Sequence, residues 1–110
     1  MPGPPLTPLE FHVLLALSDA PQHGYAIGRQ VEERSEGQLK PGTGSLYQVL
    51  RRLREAGLVA PVPAPARESD ARRQYFRLTP EGRKAARAEA ARMEGLVSLA
   101  RSKALLPAPR

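Results

Sequence analysis

Cysteine and tryptophan are absent from this chain, and its only aromatic residues are three Tyr and two Phe. Without cysteine there is no disulfide framework, no thiolate metal centre and no thiol redox chemistry, a usage that fits a reducing cytoplasm. No apolar run approaches the roughly 20 residues needed to span a bilayer. The opening stretch, MPGPPLTP, has neither the charged n-region nor the apolar h-region of a secretion signal. The two histidines, His12 and His23, fall in separate apolar and turn contexts, so no metal-ligand spacing arises. A Gly-rich phosphate loop is also missing: Gly42 to Gly44 is too short and lacks the motif lysine. The expectation is a cytoplasmic, non-enzymatic protein with no cofactor, no metal and no membrane partner.

What is plentiful is positive charge. The 110 residues carry 17 Lys and Arg against 11 Asp and Glu, a net charge of +6 with a pI near 10.5. That excess is local: residues 40–87 hold eleven bases against four acids, whereas the rest of the chain holds six against seven. A concentrated basic stretch points to an anionic partner, nucleic acid first. The length allows one domain with a modest core.

The basic stretch contains KPGTGSLYQVLRRLREAG, from Lys40 to Gly57. Leu46, Val49, Leu50 and Leu53 follow the spacing that lines up one face of an α-helix, and that face belongs in a core. The opposite face carries Gly44, Gln48, Arg51 and Glu55, flanked by Ser45 and Arg52 and by Tyr47 and Arg54. Pro41 and Gly42 break the chain before this helix of residues 43–56, Thr43 or Gly42 can cap it, and Gly57 stops it. Small residues at the helix start allow close approach to another surface, and its free N–H groups suit a phosphate. Gln48 can pair with an adenine edge, and Arg51 and Arg52 can reach phosphate or guanine. A solvated basic face is the bland alternative; the small-residue start favours a helix that enters a major groove.

Upstream, Thr7-Pro8-Leu9-Glu10 is a capping box that starts a first, mostly apolar helix over residues 8–18. His12 within it reads as a core or boundary residue. A turn at 19–22 leads to a second helix, opened by His23-Gly24-Tyr25 and running to about Ser35. Tyr25, Ile27 and Val31 give its apolar face, and Tyr25 reads as a buried ring with a satisfied hydroxyl. Downstream, residues 58–62 and 74–78 read as two strands, the second placing Phe76 and Leu78 on one face and Tyr75 and Arg77 on the other. They flank a loop of residues 63–73 that carries Arg67, Arg72 and Arg73 and prolines suited to a sheet edge. Three helices followed by a hairpin make a winged helix, with the loop as its wing.

Thr79-Pro80-Glu81 starts a last helix reaching to about residue 104. Ala86, Ala90, Met93, Val97, Ala100 and Ala104 follow a four-three spacing, widened by Leu96 and Leu99, which is the seam of a helix that packs along another. The stripe exceeds what a small domain covers, so pairing with a second copy is expected. The fold class is therefore mainly α with a small β-hairpin: a winged helix-turn-helix over 1–79, a dimerisation helix over 80–105 and a frayed tail over 106–110.

These segments together resemble the PadR family of bacterial transcriptional regulators. The likeness rests on Leu9-Glu10, His23-Gly24-Tyr25-Ala26-Ile27, Pro41-Gly42-Thr43-Gly44-Ser45-Leu46-Tyr47, Gly57-Leu58-Val59 and the run from Arg72 to Gly82. The resemblance implies a homodimeric repressor of transport, detoxification or stress genes on a pseudo-palindromic double-stranded DNA operator, of the short subgroup with one C-terminal helix. It implies base and phosphate contacts from Thr43, Gly44, Ser45, Tyr47, Gln48 and Arg51 and wing contacts from Arg72 and Arg73; Lys40 and Arg52 complete the candidate set. It also implies a small-molecule effector at the dimer interface. Where some short members stack an aromatic ligand on tryptophans, this chain offers Met93, Leu96 and Val97. Two other functions compete: a non-sequence-specific architectural nucleic-acid-binding protein, for which charge alone suffices, and a winged helix used for protein contact.

Overall fold

The computed structural model describes residues 5–108; the first four residues and the last two of the expected frayed tail lie outside the described residues. Element order is α1 (Pro8–Ala16), β1 (Gln22–His23), α2 (Gly24–Arg34), α3 (Thr43–Glu55), β2 (Val59–Val62), β3 (Tyr75–Leu78) and α4 (Pro80–Ser102). The protein is mainly helical with a small antiparallel sheet.

Local chemistry fixes most boundaries. The Thr7 hydroxyl accepts from the Glu10 N–H at 3.1 Å while the Glu10 carboxylate accepts from the Thr7 N–H at 2.8 Å, so the capping box starts α1 as read. α3 ends on Gly57, whose φ of 79° lets the Leu58 N–H reach back to the Leu53 carbonyl at 2.8 Å. α2 ends similarly, with the Gly37 N–H on the Glu32 carbonyl at 2.8 Å, although the left-handed residue before it is Glu36.

The core joins Val13, Leu14 and Leu17 from α1 and its end, Ile27 and Val31 from α2, Leu46, Val49, Leu50 and Leu53 from α3, and Val59 and Phe76 from the sheet. Burial of each large side chain stabilises the fold by about 2 kcal/mol before entropy is counted. α1 lies centrally, packed on α2, α3 and α4. Ala85 and Ala86 of α4 pack against the same core.

The sheet departs from the expected two-stranded hairpin. It has three strands in the order β1-β3-β2, with β1 pairing Gln22 to Phe76 and His23 to Tyr75. β2 is an edge strand, which is why Pro61 is tolerated opposite Phe76. Tyr75 and Phe76 are both buried, contrary to the expected alternation: Phe76 enters the core, while Tyr75 is covered by the wing and donates its hydroxyl to Glu68 Oε1 at 2.6 Å. Ala104 is also misplaced by the seam reading. α4 ends at Ser102, and Ala104 adopts a φ of 61° as the Leu105 N–H closes on the Ala100 carbonyl at 2.9 Å, so Ala104 lies off the helix.

A clamp at the start of α4 docks it on the turn after α3. The Thr79 hydroxyl accepts from the Gly82 N–H at 3.0 Å and donates to the Gly57 carbonyl at 2.6 Å, while the Thr79 N–H donates to the Leu58 carbonyl at 3.1 Å. Further along, the buried Glu89 carboxylate accepts from the Leu6 N–H at 3.0 Å and from Arg92 at 2.8 Å. Beyond Met93 the helix leaves the body, and Leu96, Val97, Leu99, Leu105 and Leu106 stand exposed.

Candidate nucleic-acid interface

α3 turns Leu46, Val49, Leu50 and Leu53 inward and leaves Thr43, Gly44, Ser45, Tyr47, Gln48 and Arg51 at the surface. The structure thus brings these six together on one face. Gly42 is the N-cap and has no side chain to bond the first turn, so the opening N–H groups of α3 remain available. Among the described residues, no atom outside the helix lies within 4 Å of a Cβ built on Gly44, so the face is open there. Lys40 is exposed in the linker before the helix. Arg52 turns aside: its Nε lies 3.8 Å from the Glu10 carboxylate, which ties it to the capping box of α1.

Tyr47 is 40% exposed, and its ring lies across the start of α2. A Cβ on Gly24 would stand 2.8 Å from the Tyr47 hydroxyl, so any larger residue there would have to displace the ring. Tyr25 is not the buried ring expected from its apolar neighbours: it is 66% exposed and stacks on His23, with ring centroids 6.4 Å apart and planes 9° from parallel. His23, Tyr25, Thr43, Tyr47, Arg72 and Arg73 are among the residues lining a groove of about 690 Å³ between α2, the start of α3 and the wing.

The wing carries less free charge than its three arginines imply. Arg72 forms a forked pair with Asp70 at 3.2 and 3.3 Å, and Arg73 lies 3.5 Å from Glu68. Arg67 makes no ion pair among the described residues. The Glu68 carboxyl is held below its usual range by the Tyr75 hydroxyl, then by the Asp70 N–H and Arg73. The same bond raises the Tyr75 phenol. Asp70 is lowered by the side chain and then the backbone N–H of Arg72.

The sequence places His23 at the opening of α2 but assigns its side chain no role, because histidine is not a favoured cap. Here its Nδ1 accepts from the Ala26 N–H at 3.2 Å, capping α2, and its Nε2 lies 3.5 Å from Arg73 Nη1. Burial first, then Arg73, push its pKa below the usual 6.5, against the pull of Glu68 and Asp70. His12, by contrast, is half-buried, and its Nδ1 has no hydrogen-bond partner among the described residues. Among the described residues no group of His, Asp and Glu could hold a metal ion, and no helix is long and apolar enough to cross a membrane.

Of the expected seam, Ala86 packs on the chain's own core, Met93 and Ala100 are half-buried, and Ala90, Leu96 and Val97 are exposed. Arg83, near the start of α4, donates to the Ser18 carbonyl at 3.0 Å and so caps the end of α1.

The fold matches solved structures of transcription regulators. A PadR family regulator from Clostridium difficile superposes with a TM-score of 0.76 at 22% identity, over 87% of this chain and 97% of that one. Bacillus subtilis PadR, solved with operator DNA, gives a TM-score of 0.62 at 18% identity, over 73% of this chain and 46% of that one. In sequence, the chain is 44% identical over 88 residues to a 37.1 kDa protein in transposon TN4556 of Streptomyces fradiae; the match covers 77% of this chain. The matched part is 24% of that relative's length, so this chain corresponds to about a quarter of it. Residues 13–88, from α1 into α4 and therefore including the whole interface described above, match the sequence profile of the family described as "Transcriptional regulator PadR-like family", and the chain belongs to that family.

Proposed function

We propose that the protein is a homodimeric, sequence-specific DNA-binding repressor that reads a pseudo-palindromic operator through α3 and grips the backbone with the wing. The observation that carries this reading is the exposed row Gly44, Ser45, Gln48 and Arg51 on a helix whose other face is locked into the core. Gln48 and Arg51 supply hydrogen-bonding groups for base edges, and Gly44 and Ser45 permit the approach. Bacillus subtilis PadR, which shares the fold, binds operator DNA, and that supports the assignment.

The second half of α4 supports the dimer. Leu96, Val97 and Leu99, with Leu105 and Leu106 beyond the helix, expose more apolar side chain than a solvated helix end requires. Paired antiparallel or crossed on a two-fold axis, two such helices would place two α3 elements on one face of the duplex, about 34 Å apart. An effector lodged beside Met93 and Val97 would alter that separation and release the operator.

The test is selection from random duplex DNA at about 150 mM salt, where electrostatic background is partly suppressed. An enriched inverted repeat with half-sites about one turn apart is the expected result. Recovery without enrichment would leave an architectural, charge-driven binder. No recovery would point to protein contact. Transcription from a promoter carrying the selected repeat, with and without the protein, then checks the direction of regulation.

A further inference from the structure

We propose that His23 is itself a DNA-contact residue: its Nε2–H and the Arg73 guanidinium form a two-donor clamp for one backbone phosphate in the groove between α3 and the wing. The proposal rests on the DNA-binding reading above. It begins with a proton count. Nδ1 accepts from the Ala26 N–H at 3.2 Å, so its lone pair is committed. A neutral imidazole carries one proton, which must then sit on Nε2. Nε2–H faces Arg73 Nη1 at 3.5 Å, and two donors cannot bond each other.

An acceptor is needed, and the neighbouring carboxylates are already engaged. Glu68 Oε1 takes the Tyr75 hydroxyl at 2.6 Å and Arg73 at 3.5 Å, and Oε2 takes the Asp70 N–H at 3.0 Å. Asp70 is held by Arg72. The Nε2–H therefore has no acceptor among the described residues. Its direction is fixed rather than free. His23 is paired with Tyr75 in the sheet, capped to Ala26, stacked on Tyr25 and set edge-on to the Tyr75 ring at 5.3 Å and 72°.

The surroundings select a phosphate oxygen over other acceptors. Arg73 contributes a guanidinium that a phosphate would share with Glu68, and the uncapped N-terminus of α3 opens into the same groove. A tetrahedral, singly charged phosphodiester there would offer its two non-bridging oxygens to the imidazole N–H, the guanidinium and the helix end. The contact carries no sequence information, so it positions α3 rather than specifying bases.

The experiment measures fluorescence anisotropy on a duplex of about 30 base pairs, as a random pool and as the selected operator, across a salt series. His23→Asn retains a cap for α2, since asparagine is a preferred N-cap, but cannot reach the groove. It should fold like the parent by circular dichroism yet bind both duplexes about tenfold more weakly. Arg73→Gln should weaken binding similarly and lower the salt slope by about one per half-site. Combining the two should lose less than the product of the single losses, because both hold one phosphate. Independently of any variant, the imidazole ¹⁵N spectrum of the parent protein should show the Nε2–H tautomer, and its Nε2 proton should move downfield when duplex is added. Parent-like binding by His23→Asn, multiplicative losses, or an unmoved Nε2 proton would each overturn the clamp. Absence of DNA binding by the parent would instead overturn the DNA-binding reading, and the clamp with it.

Discussion

Gly82→Ala sets two effects of opposite sign against each other at the start of α4. Helix propensity alone favours alanine by about 1 kcal/mol. Packing opposes it: a Cβ at this position would land on the Leu58 carbonyl oxygen and 2.7 Å from Leu78 Cδ1. The Leu58 carbonyl cannot retreat cheaply, because it accepts the Thr79 N–H and follows the left-handed turn at Gly57, whose own carbonyl is held by the Thr79 hydroxyl. Forcing volume into such a site costs about 1–3 kcal/mol. Loss of the two Thr79 anchors adds about 1 kcal/mol each. Packing therefore wins, with a net loss of about 2–4 kcal/mol, a large share of the roughly 5–15 kcal/mol available to a domain. Urea unfolding followed by circular dichroism should show the midpoint falling by about 1–2 M at an m-value of about 2 kcal/mol per M. An unchanged or raised midpoint would mean that α4 slides off the turn without cost, and the clamp would lose its structural meaning.

Gly44→Ala has open space, so it should raise the unfolding midpoint slightly while weakening operator binding at least tenfold; equal affinity would show that the start of α3 does not approach DNA. Glu89 is held below the usual carboxyl range by the Leu6 N–H and then by Arg92, so the stability it contributes is present above its unfolded pKa and lost as pH falls through the folded one. Glu89→Gln should flatten stability in acid and speed hydrogen exchange at the Leu6 amide. A double change of Leu96 and Leu99 to Glu should lower the sedimentation mass from about twice 12.0 kDa to that of one chain, and a monomeric parent would refute the proposed dimer. For His23 the depressed pKa means that the unfolded chain takes up the proton first, so stability declines as pH falls below about 6.5; its NMR titration midpoint should lie under that value and rise in Arg73→Gln.

What could be read from the sequence was chemistry confined to one turn. Thr7-Pro8-Leu9-Glu10, Gly57 and Thr79-Pro80 act on their own backbone, and each boundary lies where those residues put it. The α3 face was legible for the same reason, since its burial follows from its period. Tyr25 was misjudged by a rule that should have corrected itself: it stands two positions, about 200°, from Ile27, so the two cannot share a helix face. β1 is two residues long and has no period; its partner strand creates it. Ala104 continues the seam spacing perfectly well, but α4 stops at Ser102, five residues before Pro107, and Ala104 turns left-handed beyond that stop. The Tyr75 burial depends on Glu68, seven residues away across the wing, which no local pattern reports.

The wing illustrates how a pairing invisible to charge counting changes the mechanism. Residues 63–73 contain three arginines, yet Glu68 and Asp70 reduce the net charge to +1. Under the DNA-binding reading, a phosphate at Arg72 or Arg73 replaces an internal carboxylate instead of meeting a free cation. At Arg72 the exchange forfeits a largely exposed ion pair of up to about 1 kcal/mol, which weakens charge-driven binding to any duplex by as much as about fivefold; at Arg73 it also uncovers the charge of a largely buried Glu68. No such penalty falls on Arg51 or Gln48, which form no ion pair or side-chain hydrogen bond among the described residues. The internal carboxylates thus lower affinity for any duplex, the operator included, and leave discrimination between sites to the side chains of α3.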